Sequence, residues 1–505
     1  MSFKFFFIFI IINILYIINS SQVIILPFDS FFYKGSKENI SSIDDLAHMN
    51  LYSRINIGEP SYEIKTFLSI HHSFFSMTQN NYNKNENIIQ SYYNISKSNS
   101  FQNITSENNL IEVNYNSLGK EKIELKIFNY EKNIRYNGAI DDMIFIYNNN
   151  NKKDINRENK YYLNIGFQII NKKNNKEREK YNFINQLKKR NIINNYDWCI
   201  FYEKGINNNG SFLYNPNELI NAKGQIIIGD LPNNYNKNFH ISQLLTTYSF
   251  YSESFFKWAL EFSNIYYNNS LNETIKSNIN EVQININNYI ILAPIIYFYK
   301  IKRDFFDYYI SKNQCKIYNG REYITFYCQK SNHFNEKNLA SFPSLYMEHK
   351  EFQYVFEFTY EDLFVLKDNK YWFLIGLSAF NKDLEDWNFG IIFLRKYNLV
   401  FNQDSKTIGF YNPNLPILEV KNENEKYIYN ILILIIIFFA IFICSILLIS
   451  IRFYFLKKFV KYIKDKKKSK HIYRNSKCKE NKNSDINNEI DIKKENLLIE
   501  MKGLI

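Results

Sequence analysis

The chain has 505 residues, 46% of them hydrophobic, which suits one large two-lobed unit or two to three domains. Its formal net charge of +12 would fit nucleic acid, but residues 452–505 alone hold sixteen Lys/Arg against seven Asp/Glu. That tail carries +9 of the total, the body only +3, and nucleic acid is excluded as a partner.

In chain order, "MSFKFFFIFIIINILYIINSSQ" has a lysine, an apolar run and small residues at Ser20 and Ser21. Residues 1–21 read as a cleaved secretory signal, with an uncleaved anchor as the alternative. The body reads mainly as short strands rich in β-branched and aromatic residues. These are "LYSRINIG", "IELKIFNY", "DWCIFYE", "GQIIIGDLP", "KWALEFSNIYY", "YVFEFTY", "YWFLIGL", "GIIFLRKYNLVF" and "TIGFYN". "EREKYNFINQLKKRNIIN" places Phe183, Ile184, Leu187 and Ile192 at helical spacing and predicts a helix. The Asn- and Lys-rich stretches at 80–109 and 148–160 read as inserted loops.

Cys315 and Cys328 flank "KIYNGREYITFY", a hairpin pattern that predicts a bridge across it; Cys199 reads as a buried thiol. Asn39, Asn94, Asn103, Asn209, Asn268 and Asn272 head Asn-X-Ser/Thr acceptors, all in the body. Residues 429–451 are apolar enough to cross a bilayer, and the lysines after Arg452 mark the cytosolic side. The ends predict a single-pass type I protein of the secretory pathway or plasma membrane. Its body would be luminal or extracellular and its basic tail, residues 452–505, cytosolic and disordered, able to touch anionic lipid.

The body resembles the pepsin-like aspartic proteases over about residues 50 to 412, most closely the membrane-anchored, plasmepsin-type members. "LYSRINIGEPSYEIKTFL" resembles the opening strand pair, with Gly58 and Pro60 at the Gly-x-Pro turn. "VNYNSLG" falls where the flap would lie, with Tyr115 at the flap tyrosine. "YYLNIGF", "GQIIIGDLPNNY", "FKWALEFSNIYYNN" and "WFLIGLSAF" follow in family order, and Cys315 and Cys328 match the small disulfide loop. "GIIFLRKYNLVFNQDSKTIGFYN" is the strongest segment, with Gly390, Phe393, Arg395, Tyr397, Gly409 and Phe410 at the family's spacing. The fold this implies is mainly β and bilobal, with a central cleft, plus one C-terminal transmembrane helix. The implied organisation is an N-terminal lobe over 22–245, a C-terminal lobe over 246–415, a stalk over 416–428 and the span.

The resemblance also implies two aspartates, one per lobe, sharing a proton across the cleft, each opening an Asp-Thr/Ser-Gly turn. Aligned on "IGEP", the first position is Ser69, followed by Ile70, His71, His72 and Ser73, of which only Ser73 fits. The second turn is expected at Ala293, Pro294 and Ile295, after "YIIL". No Asp occurs between Asp45 and Asp141 or between Asp230 and Asp304, so both motifs are degenerate in any register. Glu63, Glu261 and Glu281 read as solvated strand-face carboxylates rather than replacements. Ser69 with His71 and His72 lacks a third, orienting group, and adjacent histidines on a strand face opposite ways, so neither a serine hydrolase nor a metal site is expected. No cofactor is implied. The expected function is that of a membrane-anchored, non-catalytic protease homologue that binds peptide or protein in a cleft where Ser73 and Tyr115 are candidate contacts. The alternatives are an atypical active endopeptidase and an adhesive ectodomain.

Overall fold

The structure is a computed structural model of the chain. It describes residues 22–32, 49–70, 74–79, 93–104, 117–147, 161–169, 178–203, 222–249, 257–267, 280–320, 323–378, 387–418 and 423–476. The expected signal segment, His71, His72, Ser73, Tyr115, Asn39, Asn209, Asn268 and Asn272 lie outside the described residues.

Two units, residues 1–418 and 419–505, make up the chain. The first is mainly β and two-lobed, in the pepsin-like arrangement. Its strands are β1 (Gln22–Phe32), β2 (Met49–Ile57), β3 (Tyr62–Ser69), β4 (Phe75–Gln79), β5 (Gln102–Ile104), β6 (Ser117–Asn129), β7 (Ile134–Tyr147), β8 (Tyr161–Gly166), β9 (Asp197–Tyr202), β10 (Gly224–Ile228) and β11 (Leu244–Tyr248). There follow β12 (Ala259–Phe262), β13 (Asn264–Tyr267), β14 (Asn280–Ile284), β15 (Ile291–Ala293), β16 (Cys315–Asn319), β17 (Tyr323–Gln329), β18 (Leu345–His349) and β19 (Tyr354–Phe358). The last are β20 (Phe364–Lys367), β21 (Lys370–Phe373), β22 (Ile375–Ser378), β23 (Trp387–Phe389), β24 (Leu399–Asn402) and β25 (Thr407–Tyr411). The three helices used below are α1 (Phe183–Lys189), α2 (Ile391–Lys396) and α3 (Glu423–Ser476).

Alternation builds these strands. In β2, Met49, Leu51, Ser53, Ile55 and Ile57 are buried while the residues between them are not, so one face meets the core. A 13-stranded sheet runs β11-β25-β24-β9-β10-β1-β2-β3-β8-β4-β7-β6-β5. A 9-stranded sheet follows β12-β14-β23-β15-β22-β17-β21-β20, with β16 on β17. The C-terminal strands β24 and β25 leave the second lobe and pair with β9 and β11 of the first. At this junction Trp198 stacks on Phe401 with ring centroids 4.3 Å apart and packs against Phe167 and Trp258. Trp258 Nε1 donates to Phe167 O at 2.7 Å, which ties second-lobe residues to first-lobe backbone.

The Cys315–Cys328 disulfide is formed, its two residues facing each other across β16 and β17. α1 forms where helical spacing predicts, with the Asn182 side chain accepting from Asn185 N at its start. Three expectations are corrected. "GIIFLRK" was expected as strand, yet α2 is a helix; Ile391, Ile392, Phe393 and Leu394 are all buried, so packing on every side overrides β propensity. The stretch at 80–109 is not all loop: Tyr93 is buried, and Phe101 packs on Phe145 and Tyr147. The tail is not wholly disordered, since α3 continues to Ser476 without a break at 428/429 or 451/452. α3 is long and apolar enough to cross a membrane.

Candidate functional site

Two copies of one strand arrangement frame the site. β3 pairs in parallel with β8, β8 is antiparallel to β4, and β4 is parallel to β7. In the second lobe β14 pairs in parallel with β23, β23 is antiparallel to β15, and β15 is parallel to β22. Ser69 ends β3 opposite Gly166, and Phe167 N donates to Ser69 O at 2.8 Å. β14 ends with Ile284 opposite Phe389, and Asn285 N donates to Phe389 O at 2.8 Å. One further step along that register sets Asn285 beside Gly390, as Ser69 lies beside Gly166.

The counterpart of Ser69 is therefore Asn285 and not Ala293. Ala293 lies in β15 opposite Leu377, in the strand that follows the turn. The error has a physical cause. "IILA" is a continuous apolar run because β15 is buried at both Ile291 and Ala293 in mid-sheet, and it stands out in the sequence. "NEVQI" of β14 alternates, since Glu281 and Gln283 are only half-buried, and it does not stand out. The available signal was the likeness of "Ser-Ile-His-His" and "Asn-Ile-Asn-Asn", each placing an isoleucine second. Both isoleucines, Ile70 and Ile286, are buried.

The second turn is held from both sides. Asn285 Oδ1 accepts from Asn287 N at 2.9 Å, the short-range Asx contact that lets asparagine open a turn. Asn287 Nδ2 donates to Leu68 O at 3.1 Å, and Met49 N donates to Asn287 O at 3.1 Å, so the turn grips β2 and β3 of the other lobe. Behind it, Ile391 N donates to Asn288 O at 2.8 Å. A Cβ on Gly390 would meet Asn288 O at 2.0 Å, so only glycine allows this approach.

The chemistry available is that of hydrogen bonds. Ser69 brings a hydroxyl and Asn285 a carboxamide; neither ionises near neutrality, and neither can share a proton with the other as two carboxyls do. The proposed substitute acids lie elsewhere. Glu63 is ion-paired with Arg54 at 3.2 Å, both exposed. Glu261 and Glu281 face each other across β12 and β14, ahead of the turn. Among the described acceptor asparagines, Asn94 is half-buried, and Asn103 is exposed while its Oδ1 accepts from Tyr147 at 3.0 Å.

Buried titratable groups sit away from the turns. Cys199 is fully buried, with Sγ 3.0 Å from Tyr235 Oη, and burial pushes its thiol up to about 12, so it is inert. Asp197 is pushed up to about 6 by burial, against the pull of Asn402 Nδ2 donating at 2.7 Å. His349 is buried and pushed down to about 4; its Nδ1 accepts from Phe352 N at 3.2 Å. The two act in opposite senses. Folding keeps His349 neutral where the unfolded chain would protonate it, so its contribution is full above pH 6.5 and is lost as pH falls to about 4. Asp197 stays protonated where the unfolded chain would ionise, so its contribution is full below pH 3.8 and is lost as pH rises to about 6. Asp197→Asn is thus expected to unmask the histidine. Its denaturation midpoint should fall on acidification from pH 6.5 to 4, by on the order of 3 kcal/mol of stability, and His349→Phe should remove that slope.

No family model matches the chain, and none of the curated proteins matches it. Among solved structures, the basic 7S globulin from soybean superposes with a TM-score of 0.50 at 12% identity, covering 77% of this chain and 94% of that one. Conglutin gamma, a basic 7S globulin from lupine seeds, gives 0.50 at 12% identity, covering 78% and 95%. Likeness at that identity is likeness of fold. The expected place within the aspartic protease family, nearest its membrane-anchored plasmepsin-type members, is accordingly corrected: the chain has the two-lobed fold, similar structures include seed globulins, and no family model claims it.

Proposed function

We propose that this chain is a protease-like protein that does not catalyse hydrolysis, held in a membrane by α3, and that its body binds peptide or protein. The observation that carries this reading is the pair Ser69 and Asn285 at equivalent ends of β3 and β14, where two-carboxylate hydrolysis would need acids. The second turn is hydrogen-bonded to β2 and β3 of the other lobe without an acid, which supports a frame that stands apart from proton-sharing chemistry. Extended peptide can be held by main-chain hydrogen bonds alone, and that demands no ionisable group. The secretory route, the type I orientation and glycosylation of Asn94 and Asn103 belong to the same reading; the charge step at Arg452 and the position of the acceptors support them.

The test is a titration of the purified body with a labelled peptide library between pH 4 and 7. Saturable binding with intact peptide is the expected result. Cleavage blocked by a statine-type inhibitor would establish the atypical endopeptidase instead. Neither binding nor cleavage would favour the adhesive ectodomain.

A further inference from the structure

Beyond Arg452, α3 changes character. Between Ile433 and Ile451 its exposed side chains are apolar all round but for Ser450 and Ser445, whose Oγ donates to Ile441 O, as a span allows. From Phe455 onward it becomes two-faced. At about 3.6 residues per turn, Phe455, Leu456, Phe459, Val460, Tyr462 and Ile463 fall on one half of the helix. Lys457, Lys458, Lys461 and Lys464 fall on the other, and the pattern ends there, since Lys466 and Lys467 return to the first half. The apolar half has no cover within the described residues: Phe455 is 62% exposed, Leu456 57% and Phe459 45%.

We propose that residues 455–464 lie along the surface of an anionic membrane leaflet, with the Phe455/Phe459/Ile463 face in the acyl boundary and the lysine face among the headgroups. This rests on the reading of α3 as a membrane anchor. Residues 429–451 already extend about 35 Å as helix, against about 30 Å of hydrocarbon, so the next segment leaves the core. Continued straight, it would hold six large apolar side chains in water for about three turns. Laid on the leaflet, it buries them while its four lysines, and the Lys466–Lys468 run that follows, meet negative charge, which is the pattern of an interfacial amphipathic helix. A second copy pairing through the apolar face is disfavoured because the lysines beside that face would be brought together. The geometry requires α3 to bend near Arg452 when a leaflet is present.

The full chain is reconstituted in vesicles of phosphatidylcholine alone or with about one third phosphatidylserine, a composition that gives an anionic surface. In a Cys444→Ala, Cys478→Ser background, nitrobenzoxadiazole is attached at Phe459→Cys or at Lys461→Cys. The expected result is a blue-shifted, salt-sensitive emission from position 459 on anionic vesicles only, with position 461 remaining water-like. Each lysine changed to glutamine among Lys457, Lys458 and Lys464 should lower the surface-bound fraction about five-fold at constant salt. Water-like emission from 459 on anionic vesicles that carry the chain through flotation would overturn the inference while leaving the anchor intact. So would an equal shift on neutral vesicles, or a shift that follows protein density and reports a second copy. Chain stripped from vesicles by alkaline carbonate would sink the anchor reading itself, and this inference with it.

Discussion

Gly390→Ala is expected to destabilise the body by about 3 kcal/mol or more, among the largest effects of any single methyl group. The added carbon would sit 2.0 Å from Asn288 O, 2.7 Å from Asn288 C and 2.8 Å from Ile290 O. All three are backbone atoms of the segment between β14 and β15, so no side-chain rotation relieves them. The strain falls on the segment that presents Asn285 and Asn287, and peptide binding should weaken together with stability. Gly138→Ala is the control. Its carbon would meet Ile127 Cδ1 at 2.2 Å, the mobile end of a side chain, and a cost of about 1 kcal/mol is expected. Urea midpoints of the two variants measured side by side check this; similar losses would show that the turn tolerates displacement.

Trp198→Ala is expected to cost about 3–5 kcal/mol, the range for emptying a large aromatic from a packed core. Trp198 is fully buried and meets Phe167, Trp258 and Phe401 at once, so its removal leaves a cavity walled by both lobes. The loss should extend beyond stability. With the stack gone, the lobes are joined by backbone pairs such as β24 on β9, by polar contacts such as the Trp258–Phe167 and Asn287 bonds, and by a thinner apolar contact. Limited proteolysis should then release lobe-sized fragments that the parent chain does not yield. Trp198→Phe, which refills part of the volume, should recover part of both effects.

Much of this fold was legible in the residues because it rests on local rules. Short runs rich in β-branched and aromatic residues gave β2 and β6, helical spacing gave α1, and a hairpin with a cysteine at each foot gave the disulfide. The site was half legible. Ser69 was reached because "IGEP" marks the turn before β3 and the strand behind it is short. Asn285 was missed because β14 advertises itself weakly, while the apolar β15 beyond the turn looks like the strand that should precede it.

What the sequence alone determined is the absence of aspartate from the windows that could supply the turns, and an apolar segment with basic charge on one side. Both are properties of residue type and spacing, which no folding can alter. Which residues face each other is another matter. The equivalence of Ser69 and Asn285 follows from parallel registers between strands far apart in the chain, β3 with β8 and β14 with β23. Parallel pairing across long connections leaves no trace in neighbouring residues, so only the tertiary structure could decide it. Tertiary packing likewise decided that "GIIFLRK" is a helix: Ile391, Ile392, Phe393 and Leu394 are all buried behind Gly390, and burial on several sides is a property of the surroundings that the segment's own β propensity does not carry.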